Sequence, residues 1–124
     1  MSLGANTLTD TQSIVFDTAC QAGIMVDFSG TPTNVNPYGV TLEPTLVNGL
    51  GLVARSGPCQ IQAANATVVK GSEIEIDSNG RAILLDDGDA VGMADENGAA
   101  AVAGVYKFVG IMLYQRKNIP PPAP

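Results

Sequence analysis

The sequence predicts a small, single-domain, all-β protein, folded as a barrel or sandwich with short strands and long loops. Three observations support this prediction. Polar and apolar residues alternate around Glu73–Leu85, no segment carries a sustained 3.6-residue apolar stripe, and 14 glycines and 8 prolines punctuate the chain. Alternation with a period of two between closely spaced turn residues is typical of strands. A length of 124 residues suits one domain.

In the first half of the chain, short β-branched and aromatic segments are separated by turn residues. Residues 1–12 are small and polar, which predicts a flexible N-terminal arm ahead of a β domain that spans 13–117. The strands predicted here are Ser13–Cys20, Ile24–Phe28, Val40–Leu42 and Leu46–Ala54, with a loop at Ser29–Pro37.

Glu73–Leu85 is the clearest hairpin signal in the chain. Asn79-Gly80 lies between two alternating segments, and both residues tolerate the positive φ that a tight hairpin turn requires. A two-residue loop would give the hairpin a wholly apolar face, whereas a three-residue loop would shift the register. The apolar pairs of the two-residue loop would be Ile76 with Ile83 and Ile74 with Leu85.

Three more strands are predicted, and they surround a stretch rich in alanine and glycine. Glu96–Gly104 could be a loop or a single helical turn, and residues 118–124 form a proline-rich tail that is predicted to be disordered. The strands are Cys59–Val69, Ala90–Ala94 and Val105–Tyr114.

Val105–Tyr114 is apolar on both of its faces. One face, with Val105, Val109, Ile111 and Leu113, can fill a core, and a single layer cannot hide the other as well. Because aromatic residues and Met are enriched at interfaces, we expect the second face to mediate self-association into a homo-oligomer, expected to be a trimer. Loops or another sheet of the same chain could cover that face instead. Its predicted interface residues are Tyr106, Phe108, Met112 and Tyr114.

The charge balance argues against nucleic acid and membranes as partners. The chain has 12 acidic and 6 basic residues, whereas nucleic-acid and anionic-lipid binding depend on clustered Lys and Arg. No run approaches the roughly 20 apolar residues of a membrane span, and no signal peptide is recognisable.

The residue types that most enzymes and transition-metal sites need are missing. There is no histidine and no phosphate-binding or nucleophile motif, so we expect no catalytic residues, no metal and no cofactor. Cys20 and Cys59 lack metal-ligand spacing and are expected to be free, packed thiols.

Two weaker chemical alternatives stay open at this point. The acidic turn with Asp86, Asp87 and Asp89, near Asp95 and Glu96, offers oxygen ligands for Ca²⁺, although its spacing differs from that of a calcium loop. Glu73 and Glu75 share one face of the hairpin, as a carboxylate pair in glycoside cleavage would. That face is expected to be the solvent side.

The second half resembles a known family of phage proteins. Lys70–Ala82 has the form of an acidic strand, an Asn-Gly turn and a returning strand, followed by Gly88–Ala94 and the Val-Gly strand Phe108–Ile111. This pattern, over roughly the C-terminal 40% of the chain, is similar to that of capsid decoration (cement, head-stabilising) proteins of tailed phages and prophages. The resemblance implies a β-barrel or β-tulip domain with no catalytic residues.

The resemblance also implies a location and partners. Such a protein would be assembled in the bacterial cytoplasm and would brace the outer surface of a virion by docking on the major capsid protein. Residues 1–12 could then act as a docking arm, with Leu3 and Leu8 as the anchoring side chains; otherwise the loop Ser29–Pro37 could make the contact.

A binding module of another class remains the alternative function. A pilus-type or extracellular β-sandwich would share the predicted fold, although the absence of Trp and the presence of only 3 Tyr do not favour a sugar-binding face.

Overall fold

The computed structural model describes residues 9–115, and this part of the chain is all-β, as the sequence predicts. Eight strands form one antiparallel sheet that curls into a half-barrel. Among these residues there is no helix with the length and apolar character needed to cross a bilayer. The strands are β1 Asp10–Val15, β2 Met25–Val26, β3 Gly39–Thr41, β4 Leu50–Gln62, β5 Glu73–Ile76, β6 Ala82–Leu84, β7 Gly92–Ala94 and β8 Phe108–Leu113.

β4 is the longest strand and joins the two parts of the sheet. The strand order is β2-β3-β4-β8-β7-β5-β6, and β1 pairs with β4 as well. The first part of β4 pairs with β1 and β3, and the remainder pairs with β8. The prediction of two separate strands, Leu46–Ala54 and Cys59–Val69, is wrong because the chain continues through Gly57 and Pro58. Gly57 adopts a φ of 92°, and Pro58 keeps its place opposite Met112.

β5 and β6 form the predicted hairpin, in the register of the three-residue loop. Ile74 lies opposite Leu84 and Ile76 opposite Ala82, so the pairing expected from a two-residue loop is wrong. The Asp77 side chain accepts backbone N–H groups from within the loop, and Gly80 takes a φ of 82°. An Asp at the start and a left-handed Gly at the end are the features of a three-residue hairpin loop.

Several strand ends differ from the prediction. β1 begins at Asp10, so residues 10–12, assigned to the arm from the sequence, pair with β4. Residues with polar side chains can form a strand there because strand pairing is made by backbone N–H and C=O groups. β2 is only two residues long, and Val105 lies outside β8 in a turn with Val102, where it is 71% exposed.

The interior consists of two apolar clusters on either side of β4. Phe16 is the largest fully buried side chain of the smaller cluster, which also contains Val53. Gly30 lies directly against this ring with a φ of 77°, and a Cβ atom there would be 2.5 Å from the ring Cδ2. The larger cluster takes Ala54 and Ile61 from the same strand. β4 therefore contributes side chains to both clusters.

The two ends of the described chain meet at the middle of β4. Asp10 lies opposite Ser56 and Leu113 lies opposite Gly57. The Thr9 hydroxyl also donates a hydrogen bond to a carbonyl of β4. The proposed anchors Leu3 and Leu8 and the tail 118–124 lie outside the described residues.

Candidate interaction surfaces

β8 presents alternate side chains to the core and to the outside, as the sequence predicts. Val109, Ile111 and Leu113 are buried, whereas Phe108 is 42% and Met112 37% exposed. We refer to the outward residues Tyr106, Phe108, Met112 and Tyr114 as the β8 surface.

Other parts of the same chain already contact most of the β8 surface. The Arg81 guanidinium lies 3.7 Å from the centroid of the Tyr106 ring. The Tyr114 hydroxyl donates a 2.8 Å hydrogen bond to Glu73, and this bond is the main reason that the pKa of Tyr114 is raised. The Phe108 ring lies so close to Gly23 that a Cβ atom there would be 2.9 Å from it. The β8 surface is therefore partly covered.

A buried amide holds Arg81 in place over this surface. Gln62 is 3% exposed, and its Nε2 donates to the side-chain oxygen of Gln21 and the carbonyl of Ala22, at 2.8 and 3.0 Å. Its Oε1 accepts a 2.9 Å hydrogen bond from Arg81 Nε. The Gln62 amide is thus held by residues 21–22 at its nitrogen and bonds Arg81 at its oxygen, which orients the arginine.

A more exposed apolar surface lies around the start of β4, where no site is predicted from the sequence. Leu42 follows β3 and its N–H donates to the carbonyl of Leu52 in β4, while Val15 pairs with Leu50. The turn before β4 adds two side chains, one of which, Leu46, is 78% exposed. We call this set the aliphatic surface; it comprises Val15, Leu42, Leu46, Val47, Leu50 and Leu52.

No local pattern predicts the aliphatic surface, because its members lie on different strands: Val15 belongs to β1, Leu42 follows β3, and the other four come from the turn before β4 and the start of β4. Leu50 and Leu52 alternate with the buried Gly51 and Val53, and this alternation is a signal that the sequence does contain. The proximity of Leu50 and Leu52 to Val15 and Leu42 depends on the pairing of β1 and β3 with β4, which no local pattern reveals.

An acidic cleft of about 560 Å³ lies between the loop before β3 and the turn before β7. Buried side chains of β5 and of the residue before β7 form its base, and exposed carboxylates stand at one rim. Its main lining residues are Val35, Asn36, Glu75, Asp87, Asp89 and Val91.

Glu75 belongs to this cleft and not to the solvent side of the hairpin, so that prediction is wrong. It is 8% exposed, and its Oε1 accepts hydrogen bonds from the backbone N–H groups of Asp86 and Gly88. Glu73 is exposed and binds the Tyr114 hydroxyl. The two carboxylates thus serve different structural contacts: Glu75 fixes the acidic turn, and Glu73 fixes the end of β8.

The candidate calcium ligands do not form a metal-binding group in the part of the chain that the structure describes. Residues 9–115 contain no set of three or more His, Cys, Asp or Glu side chains arranged to hold an ion. Glu96, one of the candidates, accepts a 2.6 Å hydrogen bond from the backbone N–H of Gly110.

Both cysteines are free, as expected from their spacing. Cys20 is buried and its Sγ lies 3.3 Å from the Gly30 carbonyl oxygen. Burial raises the pKa of the Cys59 thiol to about 12. A protonated thiol is a poor nucleophile, so Cys59 has the character of a packing residue.

The fold is similar to that of one solved phage protein, the N base of the head fiber gp8.5 of bacteriophage phi29. The two chains align with a TM-score of 0.66 and 15% identity, over 86% of this chain and 95% of that chain. No protein-family model and no curated protein matches the sequence. At this level of identity, the likeness establishes a shared fold.

Proposed function

We propose that this protein is a non-enzymatic structural component of a phage or prophage head, and that it decorates the outer shell as a homo-oligomer. The observation that carries the proposal is the fold, which nearly spans the length of a domain whose described role is the base of a head fiber. The decoration-protein pattern in Lys70–Ala82 supports the same role independently of the fold comparison.

Self-association through the aliphatic surface fits this role. Its six side chains range from 39% to 78% exposed, and Glu43 is the one charged residue between Leu42 and Leu52. Contiguous exposed apolar groups are unusual on a monomer and are typical of interfaces. The occupant we propose is the same surface of neighbouring copies, in a trimer.

The expected partner beyond the oligomer is the major capsid protein. An acidic domain suits the outside of a shell because it has no need to neutralise the packaged genome. Many symmetric copies docking together would provide avidity that a single small domain lacks.

Co-sedimentation with head shells tests the proposed role. Shells purified without this protein would be mixed with it and separated on a density gradient, with a shell-free sample as the control. We expect saturable co-migration with the shells. A chain that stays at the top of the gradient at all concentrations would contradict the role, and an extracellular or pilus-type binding module would then be the alternative.

A deletion of residues 2–8 tests the docking arm separately. This deletion leaves Thr9 and β1 intact, so the oligomeric state should be unchanged. We expect occupancy on shells to fall if Leu3 and Leu8 anchor the arm. Full occupancy would place the attachment on the domain itself, and the loop Ser29–Pro37 would be the next segment to replace.

A further inference from the structure

The direction in which the chain leaves β8 leads it along the acidic cleft. The antiparallel pairing of β7 and β8 puts Met93 opposite Met112 and Gly92 opposite Leu113. The pairing continues for one more residue, because the Tyr114 N–H donates a 2.8 Å hydrogen bond to the carbonyl of Val91. Val91 lines the cleft, so the backbone of Tyr114 is hydrogen-bonded to a residue of the cleft wall.

Continuing this register by two residues gives a specific pairing. Each step along β8 corresponds to one step back along the chain before β7, so Arg116 would stand opposite Asp89. Directly opposed residues on antiparallel strands have Cβ atoms about 5 Å apart, close enough for an ion pair. Asp89 is exposed at the cleft rim.

The charges along the chain favour the same arrangement. All 12 acidic residues lie from Asp10 to Glu96, whereas two of the six basic residues, Arg116 and Lys117, are adjacent and follow the end of β8 after two residues. The cleft brings together Glu75, Asp87 and Asp89. The remainder of the segment, Asn118–Pro124, is short and rich in proline, and nine extended residues could reach about 30 Å, which is enough to cross the cleft.

From this geometry we propose that the acidic cleft is the docking site of the chain's own segment 116–124, with Arg116 paired to Asp89. The segment extends the β7–β8 ladder along the rim, and its proline-rich part lies over the apolar lining contributed by Val35 and Val91. This contact is made within one chain and is independent of the proposed role in a phage head.

Disulfide trapping tests the register. The variant with Asp89→Cys and Arg116→Cys would be oxidised mildly at pH 8 and analysed on a non-reducing gel and by peptide mapping. The native thiols interfere little, because Cys20 is buried and the pKa of Cys59 is about 12. We expect an intramolecular bridge in most molecules.

The matched control combines Arg116→Cys with Asp95→Cys. The Asp95 N–H bonds the carbonyl of Gly110, so in this register Asp95 lies about six residues, or roughly 20 Å, from residue 116, beyond the reach of a disulfide. Equal bridging in both variants, or no bridging of residue 89 with 116, would overturn the proposal. A bridge between two chains would overturn it as well, since it would show docking on a neighbouring copy.

Charge reversal in the otherwise intact chain supplies a second readout. Arg116→Glu should lower the melting temperature by about 3 °C, the size expected for one cross-strand ion pair in a domain of this length. Combining it with Asp89→Arg should restore most of the loss. The control, Lys70→Glu, makes the same change in net charge at an exposed lysine and should have a smaller effect. Additive losses in the double variant would contradict the proposed pair.

Discussion

The two exposed apolar surfaces of this domain differ in how far other residues of the chain cover them. The β8 surface is rich in aromatic residues and Met, yet Arg81, Glu73 and Gly23 contact three of its four residues. The aliphatic surface contains only Leu and Val, and its members reach 78% exposure. The rest of the chain therefore leaves the aliphatic surface more exposed than the β8 surface, and this difference is the reason that we propose the aliphatic surface for contact between copies.

The largest expected effect is the loss of self-association when the aliphatic surface is charged. Leu46→Lys combined with Leu50→Lys should raise the dissociation constant of the oligomer at least about 100-fold, because burying unpaired charges at an interface should cost about 2.8 kcal/mol or more. Sedimentation equilibrium measures this effect.

The control for that pair is Met112→Lys with Met93→Lys, which adds one charge on the β8 surface and one directly opposite it on β7. We expect the oligomer to persist. If the methionine variant dissociates and the leucine variant does not, the β8 surface is the interface, as the sequence alone predicts.

The free energy of unfolding should respond in the opposite order, with the larger loss for a substitution on the β8 surface. Phe108→Ala should lower the free energy of unfolding by about 2 kcal/mol, roughly half the cost in a full core, because the ring is partly buried against Gly23. Leu50→Ala, at a side chain that is 71% exposed, should change the free energy by less than about 0.5 kcal/mol. Denaturant unfolding at several protein concentrations distinguishes these effects from changes in assembly.

The arginine over Tyr106 should contribute less than Phe108 does. Arg81→Met removes the donor to Gln62 and leaves a buried amide oxygen without that hydrogen bond, which should cost about 1 kcal/mol. The matched change, Lys107→Met, removes an exposed charge from the same end of the sheet and should be nearly neutral. Equal losses in both variants would mean that net charge, and not the Gln62 contact, is responsible.

The smallest effect concerns Tyr114 and depends on pH. Its pKa is raised by the hydrogen bond to Glu73, so the stabilisation is fully present below the unfolded-state pKa of about 10 and is lost as pH rises through the higher folded-state pKa. As pH rises between those limits, the free energy of unfolding of the wild type should fall by a few tenths of a kcal/mol more than that of Tyr114→Phe. The difference is small because the Tyr114 hydroxyl and the Glu73 carboxylate are screened by solvent. Parallel pH profiles would contradict this contribution.

Local patterns predicted the fold class, the position of the hairpin and the two faces of β8. These features depend on alternation and turn residues that are close in sequence. The hairpin register depended on a choice between loops of two and three residues, and only the contacts of Asp77 and Gly80 decide it.

The features that could not be predicted depend on distant contacts. Glu75 is buried because N–H groups from a turn eleven residues later reach its carboxylate. The sequence predicts two strands in place of β4 because Gly57-Pro58 resembles a strand break. Only the pairing with β8 shows that the strand continues. The aliphatic surface likewise depends on strand pairing, which places Val15 of β1 beside Leu50 and Leu42 beside Leu52.

The meeting of both ends of the described chain at the middle of β4 has a consequence for how the order of the strands along the chain can be changed. Because Asp10 and Leu113 lie opposite the neighbouring residues Ser56 and Gly57, a short linker can join residue 115 to residue 9 without crossing either core cluster. The domain is thus topologically close to a ring. It should tolerate circular permutation, with new ends opened in the exposed stretch before β8, and it can be inserted as a unit into a surface loop of another protein.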